Sequence, residues 1–254
     1  MKIIPFFRCS IVLWQREVVR FFRQRSRVIG TLATPLMFWF VIGGGLGKSF
    51  ADPGQPLGTY FEYFFPGSIV LSVLFTAIFS TISVIEDRHQ GFLQGVLVSP
   101  APRAAIVFGK ILGGGTLGLI QGLLLLSLSP LVGISLDWIQ ISEGIVLLFL
   151  MATALTGLGF FFAWKIDSVQ GYHSIMNTVM VPLWLLSGAV FPLAGAHEIL
   201  FWIGRLNPLS YAVQSFREIL FSPETSQGFL LAALLMLAFT VLFTAGNTRF
   251  VAKS

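Results

Sequence analysis

The chain predicts an all-α integral membrane protein with six transmembrane helices. An amphipathic interfacial helix precedes them, a short cytoplasmic helix follows the second, and re-entrant helices lie on the outer side between the fifth and sixth. Three observations predict this class. Of 254 residues, 55% are hydrophobic and only 11% charged, with mean hydropathy +0.84, whereas a soluble domain carries about 25% charged residues. The few charges are gathered between six windows, each long enough for a membrane helix of about 20 residues. The Lys and Arg residues also favour one set of window ends, the mark of a fixed orientation.

The elements follow in chain order. Residues 1–27 read as a cytoplasmic amphipathic helix. Phe7, Ile11, Trp14, Val18 and Phe21 share one face, and Arg16, Arg20, Arg23 and Arg27 share another. Such a helix lies in the headgroup layer with anionic membrane lipid as its partner. Residues 28–254 form the six-span domain. Windows 28–47, 63–85, 111–136, 144–164 and 225–248 contain no Asp, Glu, Lys or Arg, and window 168–196 holds only His173. Pro182 sits within that fifth window and kinks it. In the third window Gly114, Gly118 and Gly122 recur every four residues, with Gly109 and Gly113 beside them. Small-residue ridges of this kind let helices approach closely in lipid.

The polar stretches are as informative. Residues 86–103, EDRHQGFLQGVLVSPAPR, sit between the second and third windows. A helix over about 86–100 is expected, opening on Glu86, Asp87 and Arg88, where acids suit the positive end of the helix dipole. Phe92, Val96 and Ser99 share a face, Gly91 permits close approach, and Pro100 stops the helix before Arg103. Residues 192–224 contain apolar pieces broken by charge and by Pro208, so they read as short re-entrant helices. Placing the N-terminus in the cytoplasm leaves only Lys48, Arg205 and Arg217 outside, and thirteen of the sixteen Lys and Arg residues inside. Both termini are therefore expected in the cytoplasm, with the protein in a bacterial-type inner membrane.

Several function classes are excluded or disfavoured. A net charge of +5 suggests nucleic acid, but the bases sit beside membrane windows, so no nucleic-acid partner is expected. The apolar run at residues 9–14 is too short for a signal peptide, and one cysteine, Cys9, makes no intrachain disulfide. GGGLGKS at residues 43–49 has Ile42 where a phosphate-binding loop needs its first glycine. GGGTLG at residues 113–118 lies inside a span without the strands of a dinucleotide site. His89, His173 and His197 stand apart, so no metal site is expected. No catalytic residue is identified either. The spans carry no other ionisable group at depth, which disfavours an ion-coupled carrier and a membrane-embedded lipid-modifying enzyme. Two stripes carry polar groups. Ser68, Ser72, Thr76 and Ser80 lie along the second span, and Asn177, Val181, Trp184, Ser187 and Phe191 along the fifth. They are either hydroxyl-mediated helix contacts or the wall of a path for an amphipathic substrate.

Two stretches carry a resemblance that covers nearly the whole chain. One holds Glu86, Asp87, Arg88, Gly91, Leu93, Leu97, Ser99, Pro100 and Arg103. The other is the pair LSGAVFP and NPLSYAVQSFRE, with Ser187, Gly188, Phe191 and Pro192, then Asn207, Pro208, Tyr211 and Arg217. With six spans in order, the chain resembles type-2 ATP-binding-cassette transporter permeases, the class of polysaccharide, nodulation-factor and daunorubicin-type drug exporters. Where that family often carries a second acid after the glycine, this chain has Gln94 and Gly95. The resemblance implies a permease subunit, not an enzyme, that moves an amphipathic, lipid-like, drug-like or glycan substrate outward. It implies a coupling helix through which Glu86, Asp87, Arg88, Gly91, Phe92, Ser99, Pro100 and Arg103 meet a separate ATPase. Two ATPase copies would pair with two permease copies, a homodimer. ATP and Mg would bind the ATPase, with no cofactor in this chain. Ser72, Thr76, Asn177, Trp184, Ser187 and Phe191 would be candidates for the substrate path. Asn207, Pro208, Tyr211 and Arg217 would belong to an outer lid.

Overall fold

A computed structural model describes residues 3–47, 59–99, 101–221 and 227–253, and every regular element among them is helical. Lys48, Ser49, Pro100 and Glu224 lie outside the described residues, so the GGGLGKS string and the expected stop at Pro100 are only partly in view. Among the described residues five helices are long and apolar enough to cross a membrane: Arg25–Leu46, Tyr60–His89, Arg103–Leu126, Trp138–Lys165 and Gly228–Lys253.

Chain order gives the labels. An N-terminal helix α1 (Ile3–Arg23) breaks at Gln24 into α2 (Arg25–Phe38), which runs through a π turn, Trp39–Gly43, into the short α3 (Gly44–Leu46). The α4 helix (Tyr60–His89) is the axle of the bundle. From Tyr63 to Ile85 it carries no charge on any side, and a helix of that kind is stable only when surrounded. A short α5 (Phe92–Val98) leads to α6 (Arg103–Leu126) and then α7 (Trp138–Lys165). The rest is α8 (Val169–Trp184), α9 (Glu198–Leu206), α10 (Pro208–Phe221) and α11 (Gln227–Lys253).

The glycine ridges of α6 do what their spacing predicts, within the chain. A Cβ on Gly118 would lie 2.7 Å from the Cβ of Ala152 on α7, and one on Gly113 would lie 2.8 Å from the Cβ of Glu17 on α1. One ridge therefore seats α7 and the other seats α1. The helix itself differs from its window. It starts at Arg103 and ends at Leu126, where the sequence suggested 111–136, because Pro130 and Gly133 build a 3-10 turn (Ser129–Val132) instead of more α-helix. Lys110 consequently falls inside a spanning helix, against the expectation that only His173 does.

The fifth window also differs. Its first half is polar, and its helix ends in a π turn, Leu185–Ala189, where Gly188 adopts φ +80°. It is thus a broken element, not a single span-length α-helix. It still runs antiparallel to α4. Near its start Tyr172 shares a hydrogen bond with Thr81. Further on, the Trp184 indole donates to the Gly67 carbonyl at 2.8 Å and the Tyr63 hydroxyl to that of Gly188 at 2.9 Å. From Thr81 to Tyr63 is a distance of about 27 Å along a helix.

These contacts define two ends. At the basic end lie the start of α6 and the end of α11, joined where Arg103 donates to the carbonyls of Val251 and Ala252 at 3.3 and 3.1 Å. At the opposite end α9 and α10 are too short to cross and fold back. Gln140 there caps α7 together with Asp137 and donates to the Ile219 carbonyl of α10 at 2.6 Å.

A candidate coupling site at the basic end

The site begins with a helix that does not stop. No breaker intervenes between Glu86 and His89, so Glu86, Asp87 and Arg88 form the last turn of α4 and do not open the next helix as the sequence suggested. The chain reverses at Gly91, whose φ of +74° is the left-handed conformation that glycine adopts freely. A Cβ there would meet nothing within 4 Å. Within the chain its role is thus the turn. The helix expected over 86–100 is instead Phe92–Val98, and shorter.

Acids at a helix C-terminus face the negative end of the dipole. Four bases offset this. Arg16 donates through both terminal nitrogens to Asp87, at 2.8 and 2.6 Å. Arg20 bridges Asp87 at 2.6 Å and Glu86 at 2.7 Å, and Arg27 pairs with Glu86. Lys110 of α6 donates to Glu17 at 2.6 Å, to Ser83 at 2.9 Å and to Asp87. Asp87 is 0% exposed, and Glu17 and Lys110 are 4% exposed. Such a cluster holds together only because each buried charge has partners; removing one leaves the others desolvated and uncompensated. Arg16 and Arg20 of α1, with Arg27 of α2, therefore turn inward, correcting the expectation that they face headgroups, while Arg23 stays exposed.

The cluster reaches α5 directly. The Arg16 guanidinium lies 3.7 Å from the centre of the Phe92 ring, a cation–π contact. Leu93 is buried against the bundle, while Gln94, Gly95 and Val98 point away from it, Val98 being 87% exposed. Ser99 closes the helix with its hydroxyl on the Val96 carbonyl at 2.7 Å.

The other predicted coupling residues have different work. Arg88 turns to α7. There it pairs with Asp167 at 2.6 Å and donates to the carbonyls of Ala163, at 3.3 Å, and Trp164. Arg103 does the same for the last carbonyls of α11. Both are arginines satisfying exposed helix C-termini. Sequence reasoning missed Glu17, Ser83 and Lys110 as site residues, and the inward role of Arg16, Arg20 and Arg27. One signal was present: Glu17 is the only acid before Asp52, in a helix full of arginine.

The candidate path residues are not gathered into one wall. Ser72, Thr76, Trp184 and Ser187 are buried, Asn177 is exposed and Phe191 is half-buried. Thr76 donates to the Ser72 carbonyl at 2.8 Å and Ser187 to that of Trp184 at 2.6 Å, so these hydroxyls serve their own helices. The lid residues do converge, on the broken end of α8. Asn207 donates to the Leu183 carbonyl at 2.6 Å, and Arg217 to that of Gly188 at 3.0 Å with its guanidinium 4.2 Å from the Tyr63 ring. Pro208 starts α10, and the Tyr211 hydroxyl donates to the Arg205 carbonyl at 3.0 Å. The two sequence stretches LSGAVFP and NPLSYAVQSFRE are therefore one structural unit.

The family model described as ABC-2 type transporter matches residues 10–221, from the first turns of α1 to the end of α10. The chain belongs to that family. Among its relatives is Nodulation protein J of Rhizobium meliloti (strain 1021), 25% identical over 232 residues, 88% of this chain and 86% of that protein. Nodulation protein J of Rhizobium leguminosarum bv. trifolii is 24% identical over 213 residues, 83% and 80% of the two chains. The ycf38 chain of Cyanophora paradoxa, described as a transport permease, is 25% identical over 214 residues, 84% and 74%. The ABC-2 chains are multi-pass membrane permeases rather than enzymes. In this ABC-2 permease the matched region contains both the charge cluster and the unit that α9 and α10 form with the broken end of α8. Among its described residues no group of three His, Cys, Asp or Glu is placed to hold a metal.

Proposed function

We propose that this chain is the transmembrane subunit of an ATP-driven exporter and that a separate ATPase engages it at α5. One observation carries the reading: a short helix at the basic end presents Gln94, Gly95 and Val98 outward while Arg16 and Leu93 hold its other side to the bundle. A rigid load on α5 then acts on α1, α4 and α6 together through the Asp87 cluster. The working unit is two permeases and two ATPases, with ATP and Mg bound by the ATPases. The basic end faces the cytoplasm of a bacterial-type inner membrane, which the positive charge there supports. An amphipathic cargo, lipid-like, drug-like or glycan, suits a chain with so many aromatic residues. Release beneath the α9–α10 lid is supported by the Gly188 break to which the lid is tied.

The test co-expresses the chain with an ATP-binding-cassette ATPase that co-purifies with it and replaces Val98→Asp or Gly95→Arg on the outward face. Both variants are expected to fold and insert, because these side chains touch nothing inside, yet to lose co-purifying ATPase or its transport-linked hydrolysis. Full binding and full stimulation in both would move the docking site elsewhere.

A further inference from the structure

The inward turn of Arg16 and Arg20 leaves the opposite face of α1 mostly apolar, with Arg8, Gln15 and Arg23 its exposed polar residues. Phe7, Ile11, Val12, Val19 and Phe22 are all exposed. Between α1 and α6 this face opens into a groove of about 450 Å³, lined by Phe7, Ile11 and Trp14 on one side and Phe108 and Leu112 on the other. That volume is within the range of small-molecule sites, about 300–1,000 Å³. The groove has a direction. At one end Phe6 meets Phe108, ring centres 5.3 Å apart. At the other the Trp14 indole donates to the Thr116 hydroxyl at 2.9 Å. Because α6 starts at the basic end, Phe108 is the shallow end and Thr116 the deep one, about 12 Å further along the helix axis.

A base stands beside the shallow end, next in the chain to Phe7 and outside the lining itself. Arg8 is exposed and lies one helical turn from Ile11, on the same side of α1. No carboxylate pairs with Arg8 among the described residues, in contrast to Arg16, Arg20 and Arg27. Ser10 also lines the groove. It is 5% exposed, and its hydroxyl has no hydrogen-bond partner among the described residues. A buried unpaired hydroxyl is unfavourable unless something accepts from it. A cation beside the shallow end, a hydroxyl in the lining and an apolar, aromatic floor deeper down match one chemistry: an anionic headgroup, an ester carbonyl and an acyl chain, in that order.

We infer that the α1–α6 groove is a binding site for one acyl chain of an anionic phospholipid, its headgroup at Arg8, its ester near Ser10 and its chain against Trp14. The lipid fills the one side of α1 that the protein leaves open, beside the charge cluster that the other side builds.

Brominated acyl chains quench tryptophan on contact, so Trp14 is its own reporter. The full chain, with its ATPase where the two co-purify, is reconstituted in vesicles containing brominated phosphatidylglycerol or brominated phosphatidylcholine. Subtracting the Trp14→Phe protein isolates the Trp14 signal. Half-quenching of Trp14 is expected at about fivefold less phosphatidylglycerol than phosphatidylcholine, the ratio equivalent to about 1 kcal/mol for one base at an anionic surface. Arg8→Gln should erase that ratio, and Ser10→Ala should weaken quenching by both lipids. Equal quenching by the two lipids in the unaltered protein, or a preference that survives Arg8→Gln, overturns the site. So does an unquenched Trp14 accompanied by Ile11→Cys crosslinking between two copies, which would make the groove a protein interface.

Discussion

Asp87 is wholly enclosed, yet it bonds to three cations contributed by two other helices. At this scale an acid that ends a long helix is stable only through those partners, since the dipole disfavours it. Asp87→Ala should therefore destabilise by about 3–5 kcal/mol, the usual effect of breaking a buried pair and leaving its partner charged. Asp87→Asn with Lys110→Met should recover part of that loss, because the orphaned ammonium is gone. Thermal unfolding in detergent across the four-protein cycle of Asp87→Asn and Lys110→Met reads the coupling directly; additive losses would mean that the two side chains are not paired. The sequence made Glu86 and Asp87 visible because acids are scarce here. It hid Lys110, which looks like a loop base until the start of α6 is known. It also hid the direction of the arginines, because periodicity groups residues on a face without saying which way that face turns.

Among the elements, spans whose borders are charged and whose interiors are uniformly apolar were legible to within a few residues, as with α4 and α7. The element at 169–189 was not, because its break depends on Gly188 taking a positive φ, which no hydrophobic pattern encodes. The coupling turn carries the same lesson. Gly91 and Gly118 look alike in the sequence, but one serves backbone conformation and the other contact. Gly91→Ala should be mild, since open space surrounds it; the left-handed conformation costs an L-residue about 1–2 kcal/mol. Gly118→Val should be severe, because even its Cβ would fall 2.7 Å from Ala152, and forced overpacking alone costs about 1–3 kcal/mol before the helices separate. The yield and melting temperature of the monodisperse protein should rank the Gly91→Ala protein well above the Gly118→Val protein. The reverse ranking would mean that the α6 ridge is not a packing surface.

For the whole molecule, the open matter is which end faces the cytoplasm. The bundle places Arg88, Arg103, Lys110 and the end of α11 at one end, and Arg205 and Arg217 with the lid at the other. The charge asymmetry that the sequence displayed is thus a property of two real surfaces, and the proposed orientation puts the positive one inside. The native Cys9 is a poor reporter. It is half-buried, and desolvation raises its thiol pKa above the ordinary value. Little thiolate is then present at neutral pH, so alkylation is slow from either side and speeds up as pH rises. Exposed positions report better. In a Cys9→Ser background, Ser135→Cys before α7 and His197→Cys before α9 should react in intact cells with a membrane-impermeant maleimide, whereas Gln94→Cys on α5 should react only after permeabilisation. All three side chains are exposed, so accessibility within the protein does not limit the reaction. Labelling of Gln94→Cys in sealed cells, with the other two protected, would invert the orientation. An ATPase on the cytoplasmic side could then not reach α5, and the coupling role would have to move to the α9–α10 end.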